Sequence, residues 1–202
     1  MSGVNSISGK GIGRPSGDGN TKETILEAAR IQFAAEGYST SLRKIATEAN
    51  IDPSLIMHYF GSKQQLFIES MLPLFEAPRK IPDIFSGDED KIGERLATMF
   101  VTIISEPFTR NLMLGMFKSI SSEEKAAEMV RKFIQAAIID LVETHLPGPN
   151  KKLQANILGG QMMGIFIARY IIKIEPIASI NNDELIKYLA LRIQFHFGSP
   201  VL

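Results

Sequence analysis

Three histidines and no cysteine bound the chemistry open to this chain. His58, His145 and His196 stand on three separate stretches of helical periodicity, none with a second His or a carboxylate beside it at ligand spacing. Without Cys there is no thiolate metal site, no disulfide and no Cys nucleophile, which suits a reducing cytoplasm. Neither a G-x-S-x-G elbow nor a phosphate-loop Lys occurs, and Gly9-x-Gly11-x-Gly13 follows no strand. Glu123-Glu124 reads as a helix start, not a catalytic pair. The expectation is a protein that is not an enzyme and needs no cofactor or metal.

The window Ser41 to Lys63 carries different chemistry. Ile45, Ala49, Ile51, Ile56 and Tyr59 fall where two short helices crossing steeply need apolar contact, and Ala46 is small where they approach closely. Asn50 stands at the turn between them, where positive φ is needed and Asn is the best tolerated residue after Gly. The second helix then exposes Pro53, Ser54, Met57 and His58, a short face that suits a major groove. The apolar pattern by itself fits an ordinary packed helix pair equally well. Residues 1–70 carry seven basic and seven acidic side chains, but Arg43, Lys44 and Lys63 flank the second helix while Glu23, Glu27 and Glu36 lie on the first.

The elements around this window read as helix after helix. Residues 1–20, with six Gly and four Ser, form a flexible arm. A helix follows through Ile25, Ala28, Ala29 and Phe33, capped by Asn20 with Glu23 and closed at Gly37. Thr40-Ser41 opens the next, and Asp52-Pro53 is a cap followed by Pro at the first helical position. Ser62 with Gln65 caps a helix ending near Leu72-Pro73, and residues 73–90 read as a connection. Beyond it lie helices through Leu96–Ile103, Ser121–Leu141 (capped by Ser121 with Glu124), residues 150–173, and a last one capped by Asn181 with Glu184. Strand alternation is missing. The predicted fold is all-α, about nine helices, with an N-terminal three-helix helix-turn-helix domain and a C-terminal helical domain.

Length and composition agree with this. At 202 residues, 45% hydrophobic and 22% charged, the chain fits one or two globular domains, and its formal charge of +0 names no partner. The most apolar stretch, Ile157–Ile174, carries Arg169 and Lys173 and is broken by Gly159, Gly160 and Gly164. A buried charge costs a few kcal/mol in a membrane, so a buried soluble helix and no membrane partner are expected.

The run Thr24-Ile25-Leu26-Glu27-Ala28-Ala29, Phe33, Gly37-Tyr38, Thr40-Ser41, Ile45-Ala46, Tyr59-Phe60-Gly61-Ser62-Lys63 and Leu66 resembles the DNA-binding domain of the tetracycline-repressor (TetR) family across residues 21–70. Ala168-Arg169-Tyr170 through Glu175-Pro176-Ile177-Ala178 resembles a ligand-binding domain common in actinobacterial members. The resemblance implies a cytoplasmic, homodimeric transcription regulator, a repressor released from a palindromic double-stranded DNA operator by a small molecule. It implies that Ser41 and Arg43 touch phosphate or a base edge, that Pro53, Ser54, Met57 and His58 face bases with Tyr59 nearby, and that Lys63 grips phosphate. Asn50 replaces a frequent Gly, and Met57 a frequent Tyr or His, so the operator is expected to differ at the base pair nearest Met57. The rival is an all-α interaction adaptor that binds no DNA.

Residues 71–202 would then hold the ligand and the dimer surface. Met99, Phe100, Ile103, Met113, Met116, Phe117, Phe133, Met163 and Phe166 are either core or the lining of an apolar pocket. Arg110, Asn111, Gln161 and Arg169 are candidates to orient a ligand there, although Arg169 could equally pair with an acid. Gly160, Met163, Gly164, Ile167, Ile171, Leu185, Leu189 and Arg192 are assigned to the dimer interface, the glycines serving either the partner or neighbours in the same chain. Ligand release of DNA is expected to travel from the helix at Leu96–Ile103 to that at Gln64–Leu72.

In the arm, Gly13-Arg14-Pro15 resembles the centre of an AT-hook, with Ile12 where a second basic residue is usual; the alternative is a plain tail. If Arg14 enters the minor groove, removing residues 1–17 weakens operator binding in a gel-shift titration, whereas equal affinity makes the arm a tail.

Overall fold

The structure, a computed structural model, describes residues 18–73 and 81–198. Among these residues all regular structure is helical, in eleven α-helices: α1 (Asp18–Glu36), α2 (Leu42–Glu48), α3 (Pro53–Phe60), α4 (Lys63–Met71), α5 (Ile81–Phe85), α6 (Ile92–Ser105), α7 (Pro107–Ser122), α8 (Glu124–Ile134), α9 (Asp140–His145), α10 (Lys151–Phe166) and α11 (Asn182–Phe197). Two π turns extend this set: Gln135–Ile139 joins α8 to α9, and Ile167–Ile172 prolongs α10. The all-α expectation holds; the additional helices are the short α5, inside the expected connection, and the division of one long helix by its π turn.

The caps show where local sequence decides. Ser62 Oγ accepts from the Gln65 N–H at 3.0 Å and Asn181 Oδ1 from the Glu184 N–H at 2.9 Å, as their spacing predicts. Two predicted caps are not made. α1 begins at Asp18, so Asn20 lies inside it, where its carbonyl accepts from Thr24 Oγ1 while Glu23 pairs with Arg30. Residues 18–20, expected in the arm, are therefore helical. Ser121 donates to the Phe117 carbonyl within α7, and the extended backbone of Glu123 makes the break two residues later.

The helices enclose two cores. The first joins α1–α4 through Ile25, Phe33, Ile45, Ile56, Leu66 and Phe67, and continues into α7 and α8 through Leu112, Met116 and Val130. The second joins α6, α9, α10 and α11 through Leu96, Val101, Val142, Leu158, Leu189 and Ile193. α7, from the C-terminal part of the chain, therefore packs into the first core with α1–α4.

The expectation of a buried helix at 157–174 needs correction. Only Ala155, Leu158 and Phe166 of Lys151–Phe166 are buried, while Leu153 and Ile157 remain 61% and 45% exposed. Apolar residues occupy more than one face of this helix, and a single neighbouring core can cover only one. By length and composition Lys151–Ile172 could cross a membrane, a test that soluble helices also pass.

Two glycines set the closest helix crossings. A Cβ on Gly115 would stand 2.4 Å from the Phe33 carbonyl oxygen and 2.7 Å from Ala34 Cα, and one on Gly93 would stand 2.3 Å from the Ala190 oxygen. An exposed helical Gly→Ala change gains about 1 kcal/mol, but forced separation of packed backbones costs about 1–3 kcal/mol. Gly115→Ala and Gly93→Ala should each lower the thermal midpoint by a few degrees in calorimetry; a rise would contradict this packing.

Candidate functional site

The turn between α2 and α3 follows from hydrogen bonding at the end of α2. The Ile51 N–H donates to the Ala46 carbonyl at 3.0 Å and the Asn50 N–H to the Thr47 carbonyl at 3.1 Å, the paired bonds of a Schellman close. That closure places Asn50 at φ 52, the left-handed conformation expected for it. Asp52 then caps α3, its carboxylate accepting from the Ser54 N–H at 2.8 Å and the Ser54 hydroxyl at 2.5 Å. These bonds hold the Asp52 carboxyl below the usual carboxylate range.

With its start fixed, α3 turns Ile56 and Phe60 into the first core and leaves Pro53, Ser54, Met57 and His58 exposed on one side. Met57 is 47% exposed. Tyr59 is half-buried, its ring edge-on to His58 with centroids 5.3 Å apart. Ser41 caps α2, accepting from the Lys44 N–H at 3.2 Å. Arg43 is exposed and makes no ion pair among the described residues, whereas Lys44 is held by Glu36 at 2.6 Å. Lys63 begins α4 with its ammonium 4.4 Å from the centre of the Tyr38 ring. Burial lowers its pKa and the nearby Glu123 opposes that shift. Of the predicted residues Ser41 caps α2, Arg43 lies on α2, Pro53, Ser54, Met57 and His58 lie on the exposed side of α3, and Lys63 begins α4; Arg14 lies outside the described residues. With the ordered serine hydroxyl donating to Asp52, Ser54 presents acceptor lone pairs outward.

A second feature lies in the other half. A cavity of about 390 Å³ opens between α6, α7, α8 and α10. Six of the residues predicted for a pocket line it: Met99, Phe100, Ile103, Met113, Met116 and Met163. Phe117 and Phe166 do not. They stack on each other at 5.5 Å, because one residue beyond Met116 the helix has turned by about 100° away from the cavity. The Phe133 side chain lies outside the described set. Sequence reasoning missed most of the opposite wall, Ile134, Ile138, Ile139, Val142 and Leu158. No local spacing announces this wall: it depends on the π turn Gln135–Ile139, where the successive residues Ile138 and Ile139 both line the cavity.

None of the four polar candidates reaches the cavity. Arg169 donates to the carbonyls of Ile177 at 3.1 Å and Ile180 at 2.8 Å, tying down the 173–181 segment without an acidic partner. Arg110 lies over the Tyr170 ring, Gln161 meets His196 at 3.1 Å, and Asn111 does not line the space.

The residues assigned to a dimer surface divide. Ile171 is 43% exposed, and Gly160, Gly164 and Arg192 are exposed; Ile167 is half-buried. Met163 is half-buried and lines the cavity. Leu185 and Leu189 are instead buried in the second core against α6, so the assignment is corrected for these two. α11 is apolar on two faces. Leu185, Leu189 and Ile193 form the inner one, and Tyr188, Leu191 and Phe195 are 64%, 75% and 66% exposed on the outer.

Comparison with known proteins follows the same division. The description "Bacterial regulatory proteins, tetR family" fits residues 25–69, and "Tetracyclin repressor-like, C-terminal domain" fits residues 90–196. The HTH-type transcriptional repressor NicS of Pseudomonas putida is 29% identical over 120 residues, 52% of this chain. This chain spans only about half, 55%, of that curated relative. A TetR-family regulator from Streptomyces coelicolor A3 is 27% identical, with 92% of this chain and 98% of that one covered and a TM-score of 0.65. NalD, the secondary repressor of the MexAB-OprM multidrug efflux pump in Pseudomonas aeruginosa, shares the fold at 19% identity, 91% and 99% coverage and TM-score 0.69.

The left-handed Asn50 makes a local prediction. Asn50→Ala should destabilise the protein by about 1 kcal/mol, the cost of a Cβ in that conformation without a locally bonding side chain, and Asn50→Gly should be close to neutral in urea unfolding. Equal loss in both would mean that the Asn side chain, not its backbone angle, is what the turn needs.

Proposed function

We propose that this chain, which belongs to the tetR family of bacterial regulatory proteins, is a cytoplasmic, homodimeric transcriptional repressor that releases its DNA operator when an apolar small molecule enters the cavity. It is a DNA-binding regulator by family, and no catalytic role is assigned to it. The observation that carries the reading is the exposed Pro53–His58 side of α3, held out from the first core by the Asn50 close and the Asp52 cap. Ser41, Arg43 and Lys63 flank that side and supply phosphate contacts, while Met57 offers apolar contact to a thymine methyl. Repression, as opposed to activation, is supported by the names of NicS and NalD.

Dimerisation is supported by the uncovered apolar faces of α10 and α11. Leu153, Ile157, Ile171, Tyr188, Leu191 and Phe195 would otherwise lie in water, and exposed apolar surface of this extent marks an interface. A Cβ on Gly160 or Gly164 would meet nothing of the same chain within 4 Å, whereas one on Gly159 would stand 2.9 Å from Ile139. Gly159 therefore serves its own chain, and the other two leave room for a partner helix.

Beside the expected route from α6 to α4, the contacts of α7 favour a route through that helix. Met113 and Met116 face the cavity. Within one turn after Met116, Lys118 Nζ donates to the Ala35 carbonyl at 2.9 Å and Ser119 Oγ accepts from the Tyr38 N–H at 2.8 Å. Phe67 of α4 packs edge-on against both Phe33 and Tyr38, at 4.9 and 5.2 Å. A ligand that displaces α7 thus moves α1 and α4 with it, and reciprocity requires DNA to oppose ligand binding by the same factor.

Selection of random duplexes by the purified protein should enrich inverted repeats whose half-site centres lie about 34 Å apart, with retention falling steeply as salt rises. Met57→Tyr should change the preference at one base pair of each half-site and leave the others. Salt-independent retention or absence of symmetric sites would favour the adaptor reading.

A further inference from the structure

We propose that the cavity takes an amphipathic anion, an unbranched or lightly branched apolar body ending in a carboxylate, with the charged end on Arg131 at the mouth. This rests on the reading of the cavity as a ligand site and adds the ligand's charge and orientation.

Among the described residues lining the cavity Arg131 is the one charged side chain, and none of them is Asp or Glu. Arg131 borders the space yet its side chain is 70% exposed, so it stands at the rim. Asn156 and Gly160, also lining and exposed, place the opening between α8 and α10. The other two polar lining residues have their amide nitrogens engaged: Gln135 Nε2 donates to Asp140 at 2.6 Å and Asn156 Nδ2 to the Lys152 carbonyl at 2.7 Å. The deep wall is apolar throughout, with Leu96, Ala155 and Ile193 all buried.

The charges around Arg131 leave it able to take a ligand. Its ion pair with Glu124 is long, 3.7 Å, between two exposed side chains, and such pairs are weak. Glu128, one turn back, is drawn to Lys132 at 2.7 Å. A guanidinium fork matches a carboxylate with two parallel bonds. A cationic head would meet no lining acid, and a polar group at the deep end would go unbonded. The flexible walls of Met99, Met113, Met116, Met162 and Met163 suit a chain without fixed shape. At roughly 30 Å³ per atom, the share of a water in the liquid, the volume holds on the order of a dozen non-hydrogen atoms, the size of decanoate.

Decanoate, decanol and decylamine carry the same chain with three different heads. Titrated calorimetrically into the full-length protein, decanoate should bind about tenfold more tightly than decanol, and decylamine more weakly than either. Arg131→Gln should bring decanoate to the level of decanol without altering decanol binding, and Glu124→Gln should tighten decanoate a few-fold. Decanol bound as well as decanoate, an Arg131→Gln protein that keeps full decanoate affinity, or no binding of any of the three overturns the proposal. Retention on duplex DNA, measured on the same samples, separates this outcome from failure of the regulator reading: a protein that holds DNA but no probe remains a regulator with a different ligand class.

Discussion

The crossing of α7 over α1 is the contact on which the rest depends. Gly115 lets the two backbones meet at a distance no side chain would permit. The bonds of Ser119 and Lys118 to the end of α1 then hold that approach in place. Ser119 is completely buried, so its bond to the Tyr38 N–H is made away from water and would be costly to lose. Because Met116 belongs to the first core and also lines the cavity, the two halves have no clean division between them. A small helical domain attached by a linker alone would have no mechanical reason to respond to a bound molecule.

Different kinds of force hold the two ends of this connection. Around α2 and α3 the placement is backbone chemistry: a left-handed Asn50, two reversed hydrogen bonds and a carboxylate cap that fixes where α3 begins. These are short-range, directional and insensitive to what lies on the other side of the molecule. Around the cavity the walls are methionine and aliphatic side chains with no directional bond between them. A rigid reading surface joined to an adaptable interior is the arrangement that lets an interior change alter orientation without altering the surface itself.

Several helices carry more apolar surface than one core can use. α11 buries Leu185, Leu189 and Ile193 against α6 while leaving Tyr188, Leu191 and Phe195 uncovered, and α10 does the same with Leu158 inside and Leu153 and Ile157 outside. Uncovered Gly160 and Gly164 add a strip where a further helix could come close. The second face of each helix has a physical use only if another surface meets it.

The sequence by itself determined the helical class, the position of α3, the caps at Asp52, Ser62 and Asn181, and the special backbone at Asn50, because each depends on interactions within a few residues. It also identified six cavity residues on α6, α7 and α10 from the concentration of Met and Phe. What only the tertiary structure decided is which face of an apolar helix points where. Leu185 and Leu189 went to the core, Phe117 and Phe166 to each other, and Arg169 to the carbonyls of its own following loop, since periodicity names a face without naming its neighbour. The far cavity wall depended on a π turn that no local spacing announces, and the link through Gly115 depended on two helices far apart in the chain arriving at the same point.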